Sequence, residues 1–305
     1  MIEIGPGAFL ADIDYLGEPE HIAAAVLECA DGLAIVDPGP ATGIDGLRRR
    51  LAARGAALDD VASILLTHIH LDHAGACGVL VREHPRIRIF VHERGARHVA
   101  DPARLLESAT RLYGDQMDRL WGEVAAVPES SIITLAGGER LAPGGRSIRV
   151  EYTPGHAWHH VAYFDERSGI AFVGDTGGER FRDAPYVLPV TPPPDIDLEA
   201  WADSFARIRA WDAAQLFVTH FGACTRPAWH LDALIAELAD WAERVRASLA
   251  ESGSDEEKAA RFQERVWERL EASVPADVLH LYHDGAPDAG WHGLARYWRK
   301  RLAAF

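Results

Sequence analysis

Cysteine is nearly absent. Cys29, Cys77 and Cys224 stand far apart in 305 residues, and no C-x-x-C occurs. An odd, scattered set supplies neither a disulfide framework nor a thiolate zinc site, and reads as small buried thiols in a reducing compartment. Lysine is scarcer still, at Lys258 and Lys300 only, so nearly all positive charge is arginine. Even so, 31 Lys and Arg face 46 Asp and Glu, a net charge of −15. Nucleic-acid binders present a basic footprint, so that partner class is set aside. No window approaches the roughly 20 apolar residues that span a bilayer. The N-terminal MIEIGPGAFLADIDYLG has no basic segment ahead of a long apolar one. The expectation is a cytoplasmic protein with no secretory signal and no membrane partner.

The composition is otherwise that of a globular chain, 48% hydrophobic and 25% charged. Apolar or alternating runs at 7–15, 23–36, 61–66, 86–92, 132–135, 147–153, 161–164, 170–173 and 215–219 read as strands, with Asp31-Gly32 as a hairpin turn. Helical spacing covers 45–53, 74–83, 101–121 and 198–211, then 228–249, 256–272 and 293–302. Ser252-Gly253-Ser254-Asp255 reads as a flexible joint. Hairpins mixed with helix crossovers predict an α/β protein of two sheets covered by helices, closed by a helical appendix.

The densest chemistry is THIHLDHAG, residues 67–75, where an apolar strand ends in three histidines and an aspartate. His68 and His70 lie two apart and face the same way on extended chain, while Asp72 and His73 fall where a helix begins. Imidazole with carboxylate suits zinc, iron or manganese, whereas calcium and magnesium prefer oxygen shells. The same grammar, an apolar strand ending in a small polar turn with one ligand-type residue, recurs at His156 in TPGHAWHH, Asp175 in AFVGDTGG and His220 in LFVTHFG.

This set, together with Asp37 in VDPG, resembles the metallo-β-lactamase superfamily over roughly residues 7–222. The resemblance implies a four-layer αββα sandwich with two divalent metals, zinc first and iron or manganese as alternatives, in the cleft between the sheets. It implies a catalytic domain over 1–250 and a C-terminal helical extension, 251–305, packed on it. His68, His70 and His156 would hold one metal and Asp72, His73 and His220 the other. Asp175 would bridge them, and Asp37 would support the site without ligating. Asp72 would also be catalytic, taking the proton released on attack. The implied activity is a metal-dependent hydrolase, with hydroxide attacking an ester-like carbonyl, thioester or lactone, of a small-molecule substrate. The alternatives are a phosphodiesterase or nuclease of the same superfamily, and a non-catalytic metal-binding member. His70 stands where the oxygen-reducing branch carries glutamate, so hydrolysis is favoured over redox chemistry. The glutathione-binding region of glyoxalase II has no clear match in 228–305.

Around the ligands, Trp158 and His160 are candidates to touch substrate or ligand, and Phe181, Tyr186 and Phe221 to wall the cleft. Arg180 and Arg182 are read as solvated or as receiving an anionic substrate. His283, Trp291 and His292 are placed near the cleft mouth, with Trp291, Tyr297 and Trp298 alternatively packed on a helix face. A homodimer is compatible with the sequence.

Overall fold

The computed structural model describes residues 1–282 and 287–303. The first sheet takes β1 (Ile2–Gly5), β2 (Ala8–Asp12), β3 (Ala23–Cys29), β4 (Gly32–Val36), β5 (Val61–Leu65), β6 (Arg88–His92) and β7 (Ile132–Leu135) in chain order. Its first four strands are antiparallel and the rest parallel to their neighbours. Parallel neighbours need crossovers. These are α1 (Ile44–Ala52), then α2 (Leu71–Ala74) with α3 (Cys77–Glu83), then α4 (Glu93–Ala100), α5 (Ala103–Tyr113) and α6 (Met117–Trp121).

The second sheet holds β8 (Arg140–Leu141), β9 (Ile148–Tyr152), β10 (Val161–Asp165), β11 (Ile170–Phe172), β12 (Gln215–Val218) and β13 (Gly222–Cys224), again in chain order. Only the β11–β12 pair is parallel, and α7 (Leu198–Arg209) makes its crossover. The chain closes with α8 (Pro227–Ser248), α9 (Asp255–Ser273) and α10 (Pro287–Leu302).

Period-two alternation builds the layers. In β2, Phe9 and Ala11 join the core beneath α1 and α3, whereas Ala8 and Leu10 join the core between the sheets. A third core lies on the far side of the second sheet, where Ala162 and Ala171 meet Trp201, Trp241, Phe262 and Trp291 from α7 to α10. Three cores separate four layers, the αββα sandwich, and the C-terminal helices share the third core with the sheet.

Several elements differ from expectation. The helix foreseen over 101–121 breaks at Gly114, whose φ is +53°. The joint at 252–255 is a firm helix start: Ser254 and Glu257 form a reciprocal capping box at the head of α9. Helix α4 and strands β1, β8 and β13 lie outside the expected set, because ERGARHVA is polar with a central glycine and the three strands are short.

Candidate metal centre

Five strand ends converge. β4 delivers Asp37, β5 delivers Thr67 and His68, β9 leads to His156, β11 to Asp175 and β12 to Thr219 and His220. Chain reversal just before Asp175 requires Gly174, at φ +44°, where a Cβ would lie 2.5 Å from Thr67 Oγ1. All seven expected ligands come together in two groups that share Asp175, one with His68, His70 and His156, the other with Asp72, His73 and His220. In each group the ligand atoms lie within 4.8 Å of one another.

Four of the five histidines have one ring nitrogen committed away from the centre. His156 Nδ1 donates to Val190 O at 2.8 Å and His220 Nδ1 to His21 O at 3.3 Å. His73 Nδ1 donates to Asp37 Oδ2 at 2.9 Å, and His68 Nδ1 to Thr67 Oγ1 at 3.1 Å. Their Nε2 lone pairs are thereby aimed inward, as outer partners of metal-ligating histidines do. His68 Nε2 and His156 Nε2 lie 2.9 and 3.0 Å from His70 Nδ1. Asp175 Oδ2 lies 3.7 and 3.6 Å from those same two Nε2 atoms, while its Oδ1 is 3.0 Å from His73 Nε2 and 3.9 Å from His220 Nε2. His73 Nε2 and Asp175 Oδ1 are buried yet make no hydrogen bond of good geometry. Inward-facing lone pairs, orphaned buried atoms and mixed imidazole–carboxylate donors fit a pair of divalent cations of the zinc, iron or manganese kind.

Burial, with the neighbouring rings, holds His68 neutral, well below its ordinary value, and burial lowers His156 to about 4. The second group behaves oppositely. Burial works against charge on His220, but its hydrogen bond to Asp72 and the charge of Glu179 raise it to about 9. Burial likewise disfavours charge on His73, yet Asp175 and Asp72 bring it well above the ordinary range. Burial would raise Asp72, but the His73 charge and the His220 hydrogen bond hold it at about 2. Ionised carboxylates thus surround a place that demands positive charge.

The centre opens on a cavity of about 990 Å³, a size suited to a small-molecule substrate. His70, Asp72, Asp175 and His220 lie on its lining, as does Trp158, which is 37% exposed. His160 is fully buried. Its ring stacks on His68 at 5.1 Å, with Nδ1 2.9 Å from Thr153 Oγ1 and Nε2 accepting from Thr176 N, so it braces the ligand loop away from the cavity. Its neighbour His159 is the one on the lining, with a buried Nδ1 that has no hydrogen-bond partner among the described residues.

Tyr186 is not a cleft residue. Its hydroxyl donates to Glu237 at 2.7 Å within the core under α8, because the loop carrying it turns its apolar side chains toward the C-terminal helices. Phe181 is buried there too, against Tyr282, and Phe221 packs between two cores. Neither arginine matches its expectation fully. Arg180 is buried and bound to Ala184 O and Asp183, and Arg182 pairs with Glu20 on the surface. Trp291 and Trp298 pack on α8 through Ser248 and Ala242, as the packed-face alternative had it, and His283 falls outside the described residues. The C-terminal helices nevertheless reach the cleft, with Trp241 of α8 and Gly290 of α10 on its lining.

Residues 18–220 match the family model described as the Metallo-beta-lactamase superfamily. A metallo-beta-lactamase fold-containing protein, ST1585 of Sulfurisphaera tokodaii, is 29% identical over 191 residues, covering 61% of this chain and 68% of that one. A hydroxyacylglutathione hydrolase of a Synechococcus strain is 32% identical over 143 residues, which is 47% of this chain and only 43% of the relative. Among solved structures, the metallo-beta-lactamase family protein TTHA1429 of Thermus thermophilus superposes with a TM-score of 0.72 at 25% identity, covering 99% of this chain and 96% of that one.

Proposed function

The chain belongs to the metallo-beta-lactamase superfamily and is an enzyme of its hydrolase kind; on that premise we propose a dinuclear metal-dependent hydrolase acting on an ester-like carbonyl, a thioester or a lactone. The observation that carries the reading is Asp175, one carboxylate whose two oxygens face separate groups of inward-pointing nitrogens. His68, His70 and His156 would hold one cation and Asp72, His73 and His220 the other, with Asp175 shared between the two groups. When bound, such cations polarise a carbonyl oxygen and lower the pKa of a water from about 15.7 to about 7.

The chain's own residues do the rest. Asp37 and Thr67 fix the ring orientations of His73 and His68, and Val190 fixes His156. Asp72 is the less enclosed carboxylate, its side chain 23% exposed toward the cavity against 3% for Asp175. It accepts the proton that the attacking water gives up and returns it to the leaving group. The free thiols Cys29, Cys77 and Cys224 accord with a cytoplasmic setting for this chemistry. Among the described residues no helix is long and apolar enough to cross a membrane.

Purified protein loaded with zinc, iron or manganese in turn, then assayed on matched thioesters, lactones and phosphodiesters, tests the reading. A clear excess of phosphodiesterase kcat/KM overturns the carbonyl assignment. Two bound metals with no turnover of any substrate overturn the enzyme.

A further inference from the structure

The cavity has two unlike walls. One is α4, which rests directly on the metal-binding loops: a Cβ on Gly95 would lie 2.7 Å from Ile69 Cγ2 and 3.4 Å from His159 Cβ. Such closeness puts the residues around Gly95 beside the first ligand group. Arg94 and Arg97, three apart and so neighbours on the helix surface, line the cavity, and Arg104 at the start of α5 joins them. Among the described residues none of these three guanidinium groups pairs with a carboxylate; Arg94 lies over the Trp158 ring at 5.8 Å, and Arg97 Nε donates to His98 Nε2 at 3.1 Å. Glu93 and Asp195 also reach the lining without pairing to them. Burial, then the Arg97 and Arg104 charges, lower His98 below its ordinary value, a sign of how crowded with positive charge this wall is. In a chain of net charge −15, where Arg82, Arg209 and Arg299 among others are paired with carboxylates, three uncommitted arginines at one cavity are a local reversal of sign.

Toward the other end of α5 the lining turns apolar. Tyr113 and Trp121 meet edge to face at 5.1 Å, and Tyr15 stacks on Trp121 at 6.3 Å. Leu112 and Tyr113, 55% and 40% exposed, are large apolar side chains left uncovered on the lining of this same cavity. Large side chains of this kind standing free in a cleft mark a surface that an apolar ligand covers.

We propose that the substrate is an amphipathic anion: an ester or thioester whose apolar acyl chain lies along Tyr113, Leu112 and Trp121, and whose carboxylate- or phosphate-bearing remainder is held by Arg94, Arg97 and Arg104. This rests on the hydrolase reading for the position of the scissile carbonyl, but the two walls bind whether or not turnover occurs. Long-range repulsion from the acidic surface is overcome locally, since screening confines charge effects to about 8 Å at physiological salt.

Binding is measured by calorimetry with thioethers that cannot be hydrolysed: S-octylglutathione for carboxylates, S-octyl coenzyme A for phosphates, and S-octyl-N-acetylcysteamine as the neutral control. The double variant Arg97→Gln/Arg104→Gln should weaken at least one of the anionic ligands tenfold or more while changing the neutral one less than twofold. Whichever anion responds identifies the head group. Raising salt from 0.1 to 0.5 M should weaken the same ligand in the wild type. Leu112→Ser should weaken all octyl ligands that bind, and leave methyl counterparts unaffected. Equal effects on charged and neutral ligands, or no binding of either anion, overturn the proposal. Anion binding without hydrolysis of the matching octanoyl thioesters leaves the two binding surfaces standing and overturns the thioester part of the proposed function instead.

Discussion

Asp37 Oδ2 lies 2.9 Å from Nδ1 of His73, and both groups are shut away from solvent. The same carboxylate accepts from Thr67 N at 2.8 Å and Thr67 Oγ1 at 2.6 Å through its two oxygens, and from Thr219 Oγ1 at 3.2 Å. It therefore ties together the residue before His68, the ring of His73 and the residue before His220. Asparagine at this position keeps the shape but turns one acceptor oxygen into a donor. Asp37→Asn should weaken metal affinity by about 10–100-fold, the usual cost of losing an outer partner. Chelator competition measures it; an unchanged affinity would show that Asp37 does not orient the ligands.

Elemental analysis of protein purified without chelator should find two metal equivalents per chain. His156→Ala removes a ligand seen only by the first group, and His220→Ala one seen only by the second, so each should fall toward one equivalent. His160→Ala should keep both metals and lose less activity than His156→Ala, because His160 braces His68 and offers the cavity nothing. One equivalent in the wild type after reconstitution contradicts the shared role of Asp175.

Asp72→Ala should reduce kcat/KM by well over tenfold, more than about 1.4 kcal/mol of transition-state stabilisation. Circular dichroism should leave the fold unchanged, since Asp72 sits at the cleft rather than in any of the three cores. A loss smaller than tenfold on the best substrate found would free Asp72 from both ligand and proton-accepting roles.

The two clusters of candidate ligands were legible because strand ends announce themselves. An apolar run, a small residue and one imidazole or carboxylate need little knowledge of the tertiary structure, and THIHLDHAG places four such groups in one loop. The sheets were legible for the same reason, through period-two alternation. Side chains on irregular loops were not. Whether His159 or His160 faces the cavity depends on how the TPGHAWHH turn packs, and the structure turns His160 toward Thr153. The loop of Tyr186 reads as cleft lining in the sequence, but its hydroxyl is taken by Glu237 of α8, 51 positions away. The arginines of α4 are not legible in the sequence, because nothing in the spacing of ERGARHVA marks a wall; only the close approach of Gly95 to Ile69 and His159 makes it one.

Stability carries its own test, away from the metals. Arg146 and Asp165 form a buried bidentate pair, Nε to Oδ1 at 2.9 Å and Nη2 to Oδ2 at 2.6 Å, with side chains 1% and 0% exposed. Arg146 also donates to Gly7 O at 2.8 Å and Glu28 O at 3.1 Å, so it pins the second sheet to the first. Removing one member of such a pair leaves the other charged and buried, so Asp165→Ala should cost about 3–5 kcal/mol at neutral pH. Burial by itself would raise the Asp165 carboxyl, but the bonds from Arg146 and Ser168 hold it below its ordinary value. A carboxyl with a folded pKa below the unfolded one stabilises the protein fully above the unfolded value, about 3.9. That contribution fades as pH falls through the folded value. Denaturant unfolding of wild type and Asp165→Ala should therefore give a stability gap that is constant from neutral pH to about 5 and narrows below about 4. A gap that widens on acidification would mean that Asp165 is protonated in the folded protein and that Arg146 is held by the backbone carbonyls of Pro6, Gly7 and Glu28.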